Sequence, residues 1–224
     1  MPSPGGANGF CGYVLALAVY GQGVYVGGSF PNASCAPGSA APGRNVAYWS
    51  GSEWVPLLEA GAFLDGVNPN GSAPTKVNAL AVVGNDLYVG GDFAVVYKAD
   101  GPYLASNIVR WRANEWNPVN SGWPSSQLRT HSLGALGKQA FAGTDRGDVM
   151  LWDESAQHWS TMAQTKIQYQ DIRAFAASGA MLYVGGAFID LTDPLAPTAA
   201  SGDLATSGWA AAFQNEVFKG GFEN

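Results

Sequence analysis

The sequence predicts an all-β fold built from four repeated units, each a four-stranded antiparallel sheet. Three observations favour this fold: a glycine-rich segment recurs four times, Gly and Asn turns separate short apolar strands, and charge is scarce. The chain has 224 residues, of which 30 are glycine and 12% are charged, against about 25% charged in typical soluble domains. This composition excludes a coiled coil, and the 47% share of hydrophobic residues excludes a disordered chain.

Charge and hydropathy also limit the partners of the chain. The formal net charge is −6, whereas a nucleic-acid-binding surface needs clustered lysine and arginine. The most apolar run, residues 13–20, is far shorter than the ~20 residues that a membrane-spanning helix needs. We therefore expect no nucleic-acid partner and no membrane span.

The repeat consists of two conserved-length blocks separated by gaps of variable length. The first block is apolar and ends in Gly-Gly or Gly-Thr, at residues 14–28, 77–91, 130–144 and 172–186. The second block ends in an aromatic residue, at residues 45–49, 107–111, 148–152 and 209–213. Constant blocks with stretched gaps are typical of a repeat fold whose insertions fall on loops.

The second unit shows the four strands of a repeat most clearly. Strand A is predicted at 77–83, strand B at 87–93, strand C at 108–112 and strand D around Trp116. Gly84 and Asn85 supply the positive φ angles of a tight turn between strands A and B. Strands A and B are apolar on both faces, which indicates that both faces are buried. Four-stranded units repeated radially form a β-propeller.

We predict one propeller domain at residues 12–219, preceded by a linker at 1–11 and followed by a tail at 220–224. The blades are expected at about residues 12–58, 76–120, 129–163 and 171–219. Four blades either close a ring within one chain or form half of a larger ring, which a second copy completes as a homodimer.

The repeat pattern V-x-A-L-A-V-x-G-x-x-L-Y-V-G-G-x-F, then N-[IV]-x-x-W, then W-x-P, resembles Kelch-like propellers. It is most similar to the galactose-oxidase central-domain type and to repeats of fungal cortical cell-polarity markers and bacterial secreted proteins. The resemblance covers residues 12–218 and implies a propeller in a secreted or periplasmic protein, whose signal peptide is not present in this sequence. It says little about activity, because propellers include both binding modules and enzymes.

The long connections of the repeat predict where a site lies. Strand B is joined to strand C by a long gap in the first, second and fourth units, whereas the A-to-B turns are all tight. In propellers generally, the face that carries the B-to-C and D-to-A connections holds the site, at the mouth of the central channel. We call it the long-loop face.

Aligning the units brings a small set of polar side chains to this face. The second position of strand A holds Leu15, Asn78, His131 and Arg173. The position after Gly-Gly or its counterpart holds Ser29, Asp92, Asp145 and Ala187. We predict that the ligand contacts are made by Asn78, Asp171, Gln170, Arg129 and Trp123. Trp123 either stacks on a sugar ring or anchors its own connection.

A divalent metal is a second interpretation of the same residues. Asp92, Asp145 and His131 would hold calcium or zinc, because imidazole suits zinc and carboxylates suit calcium. A bound metal would make hydroxide available, with His131 and Arg173 as catalytic residues. The structural alternative is that the aspartates cap turns, His131 is a hydrogen-bonded core residue, and Arg173 pairs with a neighbour.

Three functional hypotheses follow. The first is a secreted binding module whose site, on the long-loop face, binds a small molecule, a glycan or a protein surface. The second is a metal-assisted hydrolase of an ester, lactone or phosphoester. The third is a structural fragment without a ligand, whose ring is completed by self-association.

The two cysteines are predicted to form a disulfide. Cys11 precedes strand A of the first unit and Cys35 lies in its B-to-C connection, so both map to one face. The alternative is two free thiols. A disulfide would imply an oxidising compartment, in agreement with secretion.

Overall fold

The computed structural model describes residues 12–30, 43–62, 64–68, 75–119, 123, 128–165 and 170–188, with the backbone of three further strands at 191–192, 204–207 and 210–214. In this part of the chain every regular element is a β-strand, which confirms the predicted all-β class. None of these residues belongs to a helix that is long and apolar enough to cross a membrane.

The first two repeats each form the predicted four-stranded antiparallel sheet. The first sheet contains, in spatial order, β1 (Tyr13–Tyr20), β2 (Gly23–Ser29), β3 (Val46–Trp49) and β4 (Trp54–Pro56). A short strand β5 (Val67–Asn68) follows in the chain. The second sheet contains β6 (Lys76–Val83), β7 (Asp86–Asp92), β10 (Ile108–Arg112) and β11 (Glu115–Pro118). Strands A, B and C of this unit therefore begin within one residue of their predicted positions.

Two hairpin strands inside the second B-to-C connection were not predicted. They are β8 (Val95–Lys98) and β9 (Gly101–Leu104). They pair with β5 into a three-stranded sheet in the order β5-β8-β9. The long connection of this unit is thus a folded element that packs beside β11.

The third and fourth sheets depart from the simple repeat at their outer edges. The third contains β12 (Thr130–Leu136), β13 (Gln139–Thr144), β14 (Asp148–Asp153), β15 (His158–Thr165) and β18 (Leu191–Thr192). The fourth contains β16 (Ile172–Ser178), β17 (Met181–Gly186), β20 (Ala210–Gln214) and β19 (Leu204–Ser207). Its outer strand β19 precedes β20 in the chain, whereas the repeat predicts strand D after strand C.

The A-to-B turns are tight because glycine begins each of them. Gly21, Gly84, Gly137 and Gly179 have φ angles of 59°, 62°, 60° and 57°. Asn85, which was expected to share the positive φ, does not adopt one. Glycine at the first central position is typical of a type II′ hairpin, whose twist matches that of the strands.

Consecutive sheets pack through their first strands, so that β1 contacts β6, β6 contacts β12, and β12 contacts β16. A close approach occurs at the first glycine of the pair in each of the first three sheets. A Cβ atom at Gly27 would overlap the side chain of Val77, and one at Gly90 would overlap that of Thr130. Glycine is required there because the next sheet lies directly against the backbone. The described residues do not close into a ring, since β16 is not packed against β1.

Aromatic pairs fill the outer half of each of the first three sheets. Trp111 lies opposite Trp116 across β10 and β11, with ring centroids 4.8 Å apart. The first sheet repeats this contact with Trp49 and Trp54, and the third with Trp152 and Trp159. The recurring tryptophans of these sheets are therefore sheet-packing residues.

Candidate functional site

Each predicted site residue in the second position of strand A occupies a β-bulge. The pairing of strands A and B shifts register between residues 14 and 16, 77 and 79, 130 and 132, and 172 and 174. The residues left at the shift are Leu15, Asn78, His131 and Arg173. A bulge changes the direction of the side chain of the extra residue, so these four side chains do not follow the regular alternation of the strand.

The second glycine of the Gly-Gly pair makes room for the bulge. A Cβ atom at Gly28 would overlap the Tyr13 carbonyl oxygen, and one at Gly91 would overlap the Lys76 carbonyl oxygen. Gly186 has the same relation to Asp171. In the first two sheets the Gly-Gly pair therefore accommodates both the contact between sheets and the bulge, whereas the third sheet has the same bulge with Thr144 in the second position.

Arg129 joins the two aspartates that follow strand B in the second and third sheets. Its Nε lies 3.1 Å from Oδ2 of Asp92. Its backbone N–H donates to Oδ1 of Asp145 at 3.2 Å, and the backbone N–H of Asp145 donates to the Arg129 carbonyl at 3.2 Å. Asp145 thus caps the end of its own hairpin, which agrees with the structural alternative for this residue.

Asp171 contacts two basic side chains at the junction of the third and fourth sheets. Arg173 donates to its Oδ2 through Nη2 at 2.9 Å and through Nε at 3.3 Å. His131 Nδ1 lies 3.7 Å from the same oxygen. Gln170 is half-buried directly before Asp171. His131 and Arg173 therefore meet through one shared carboxylate.

Asn78 links the second sheet to the third. Its Nδ2 donates to the carbonyl of Thr130 at 3.2 Å, next to His131. We use the term rim for the seven side chains along these strand ends, which are Asn78, Asp92, Arg129, His131, Asp145, Asp171 and Arg173.

The guanidinium groups of the rim lie outside the carboxylates that hold them. The Arg173 side chain is 64% exposed and that of Asp171 is 21% exposed. The Arg129 side chain is 55% exposed against 33% for Asp92. Guanidinium donors that are not used by the aspartates therefore face solvent, where the planar fork can bind a carboxylate in a bidentate manner.

The rim does not assemble a metal site within the part of the chain that the structure describes. No group of three or more His, Cys, Asp or Glu side chains there is arranged to hold an ion. Asp92 and Asp145 contact Arg129, whereas His131 contacts Asp171. The calcium or zinc assignment to Asp92, Asp145 and His131 stays a prediction.

Trp123 is buried, so its ring is not presented to a ligand. It packs edge-on against Trp159, with ring centroids 5.5 Å apart, in a cluster that includes Val119 and Trp152. Of the two roles predicted for Trp123, anchoring of its connection is the one that this position fits. Cys11 and Cys35 lie outside the described residues.

Sequence reasoning missed the role of the asparagine in the N-[IV]-x-x-W motif. Asn107, with φ of 70°, accepts from the backbone N–H of Phe93 at 2.8 Å and donates to the Leu128 carbonyl at 2.8 Å. Asn45 makes the same two bonds, with Phe30 and Val67. Its recurrence before strand C was the signal, since asparagine tolerates a left-handed conformation that most residues avoid.

A cluster of paired charged side chains, called the ion cluster, lies near the edge of the sheets that carries the tight A-to-B turns, away from the rim. Arg110 Nη1 lies 2.6 Å from Glu154 Oε2, and Arg112 Nη2 lies 2.5 Å from Asp86 Oδ2. Burial alone would raise the pKa of the Glu154 carboxyl, but hydrogen bonds from Trp152, Arg112 and Arg110 outweigh it and hold this pKa below its usual range. The cluster joins the second sheet to the third, because Glu154 follows β14.

Comparison with known proteins identifies the fold and no family. No family model matches the chain, and no curated protein matches its sequence. The designed protein Ika4 aligns at 13% identity with a TM-score of 0.48, over 83% of this chain and 93% of its own. The designed protein Ika8 aligns at 14% identity with a TM-score of 0.44, over 90% of this chain and 70% of its own. YCF48, in a structure bound to D1 peptide, aligns at 11% identity with a TM-score of 0.50, over 89% of this chain. YCF48 is a propeller, and this chain spans 54% of the length of the YCF48 chain. The protein therefore has an all-β, propeller-like fold.

Proposed function

We propose that the protein is a propeller-type binding module and that the rim is its ligand-binding surface. The observation that carries this proposal is the pair of exposed guanidiniums, Arg129 and Arg173, each held from beneath by an aspartate. An arginine already held in place loses less side-chain entropy when it binds, which favours affinity. Bulges next to binding sites serve to aim side chains in this way.

The ligand class that best fits the rim is a protein segment with a carboxylate. The guanidinium fork matches a carboxylate, and the aspartates that alternate with the arginines make a long polyanion a poor fit. YCF48, the propeller with the similar fold, is bound to a peptide in its structure, which is consistent with a protein partner. A glycan or small molecule, the other predicted ligands, would need contacts from elsewhere on the long-loop face.

The four sheets, in this proposal, are consecutive blades of a Kelch-like propeller within the predicted limits of 12–219. The shared antiparallel order of the first two sheets and the repeated contact between first strands support it. The rim would then surround the mouth of the central channel. Self-association through sheet faces would leave the rim free, since the rim lies at strand ends.

A secreted or periplasmic location is part of the proposal, together with a Cys11–Cys35 disulfide. Its support is the resemblance of the repeat to those of secreted proteins. Thiol titration of unreduced, unfolded protein tests the disulfide, and two reactive thiols would contradict it.

A peptide-display screen tests the proposed ligand class. We expect the enriched peptides to carry Asp, Glu or a free terminal carboxylate and to lose affinity when Arg129 and Arg173 are both replaced by Gln. Each lost charge-assisted pair should weaken binding by about tenfold or more. Arg44→Gln is the matched control, because Arg44 is an exposed arginine beside Asp65 outside the rim.

Two results would overturn the proposed ligand. Enriched peptides that bind the double variant as tightly as the unmodified chain would exclude the rim. Binding on a glycan array without any peptide binder would exclude the ligand class. The same samples test the hydrolase prediction through metal content and ester hydrolysis before and after chelation, since activity lost on chelation and in His131→Ala would favour the enzyme.

A further inference from the structure

One interface is repeated at each of the three junctions between consecutive sheets. The first and fourth positions of strand A pack onto strand B of the preceding sheet, as Val77 and Leu80 do at Gly27. The bulge at Asn78 lets these two side chains, three positions apart, share one face, which strict alternation would forbid.

An aromatic residue on strand B adds a contact with the next sheet at the second and third junctions. Phe141 on β13 contacts Phe175 of the fourth sheet, with ring centroids 6.3 Å apart. Tyr88 on β7 contacts Trp159 of the third sheet, with ring centroids 6.4 Å apart. Each junction therefore joins a ridge on strand A of one sheet to a glycine on strand B of the sheet before it, and the second and third junctions add an aromatic contact.

The first sheet exposes the ridge half of this interface. Val14 and Leu17 hold the positions of Val77 and Leu80, yet they are 45% and 55% exposed against 0% and 8%. We call these two residues the leading face. No described sheet precedes β1 and covers it.

The fourth sheet exposes the opposite half. Tyr183 holds the position of Tyr88 and is 44% exposed, against 3% for Tyr88. Gly185, at the position of the buried Gly90, is only half-buried. We call Tyr183 and Gly185 the trailing face, and it lacks the ridge that each earlier sheet receives.

We infer that the leading face of one copy packs onto the trailing face of a second copy, and that the two contacts close a ring of eight sheets. The two faces are the two halves of an interface that the chain already makes three times, so their shapes match by construction. A head-to-tail contact must close or else continue as a filament. Closure at two copies is favoured because the chain spans 54% of a YCF48 propeller chain.

Ring closure would also complete the rim. The rim residues lie on the second, third and fourth sheets only, so in one copy they form an arc. In the closed dimer, two such arcs would face each other across one channel. The self-association does not depend on what the rim binds.

Sedimentation equilibrium over a range of concentrations tests the inference. We expect a mass of twice 23.3 kDa and a shift to the single-chain mass in Leu17→Glu. The matched control is Leu104→Glu, because Leu104 is 60% exposed on β9 and lies outside both faces. Far-UV circular dichroism shows that each variant folds, and Tyr183→Glu provides an independent test from the other face.

Three results would overturn the inference. A single-chain mass at every concentration would mean that something other than a second copy covers the faces, such as further sheets of a longer chain. An open-ended series of larger masses would indicate a filament. Equal effects of Leu17→Glu and Leu104→Glu would show that the association does not use the leading face.

Discussion

Strands β1 and β6 have closely similar sequences but different surroundings. Val77 and Leu80 on β6 are buried against the first sheet, whereas the equivalent Val14 and Leu17 on β1 are exposed. Both strands have the same bulge and the same tight glycine turn. The difference therefore teaches that local sequence specifies the strand and its interface, while position in the array decides whether the interface is used.

The largest expected effect separates these two strands. Leu80→Ala should destabilise the chain by about 2–5 kcal/mol, because it removes buried methyl groups and leaves a cavity. Leu17→Ala should change the free energy of unfolding by no more than about 0.5 kcal/mol when the protein is dilute enough to be monomeric. Urea unfolding of both variants measures this, and equal losses in dilute protein would contradict the comparison.

A second prediction is that the first and second sheets differ in their faces and not in the asparagine contacts before strand C. Asn107→Ala should cost about 1–3 kcal/mol, because it leaves the Phe93 N–H and the Leu128 carbonyl without their bonds. Asn45→Ala should cost a similar amount, although it lies in the first sheet, because it breaks the same pair of bonds.

The control for this prediction is Asn107→Asp, which keeps the accepting oxygen and tolerates the positive φ. It should be less destabilising than Asn107→Ala. A negligible effect of Asn45→Ala would show that the first sheet differs from the second in its connections as well as in its faces.

The smallest effect concerns the ion cluster between the second and third sheets. The pKa of Glu154 is held below its usual range in the folded chain, so the folded state binds its proton less readily than the unfolded state does. Its contribution to stability is therefore present above the ordinary Glu pKa of about 4.3 and is lost as the pH falls through the lower folded value.

Glu154→Gln should accordingly flatten the loss of stability in acid, as measured by urea unfolding at a series of pH values. Glu53→Gln, at an exposed turn of the first sheet and outside the ion cluster, is the matched control for the loss of one carboxylate. A profile that is identical in Glu154→Gln and the unmodified chain would show that the cluster contributes nothing measurable.

The strands could be predicted because their signals are local. The Gly turns, the Gly-Gly pairs and the aromatic ends of the second blocks each reflect a contact within one hairpin or between neighbouring sheets. The β8–β9 hairpin also had a local signal, since the turn-forming residues Asp100 and Gly101 lie between two β-rich runs, and the observed two-residue turn is Ala99-Asp100. The position of β19 had none, because it depends on which segment reaches the edge of β20.

The candidate site was less accessible to sequence. Alignment places His131 and Arg173 in equivalent positions, but their shared contact with Asp171 depends on the bulge in each strand A, which the residue pattern alone does not show. Trp123 is a second example. Its position outside the repeat pattern left a ligand role and an anchoring role both open, and its burial depends on the space beside Trp159, which no pattern along the chain reveals.

Mixing two variants tests the central claim, that the ends of the array are matching halves of one interface. Leu17→Glu disables the leading face and Tyr183→Glu disables the trailing face, so each variant alone should have the single-chain mass. An equimolar mixture should regain association at high concentration, more weakly than the unmodified chain, because one of the two contacts then joins intact faces while the other carries both substitutions. If the mixture associates no more than each variant alone at any concentration, or if either variant alone dimerises like the unmodified chain, the two faces are not partners and the claim is wrong.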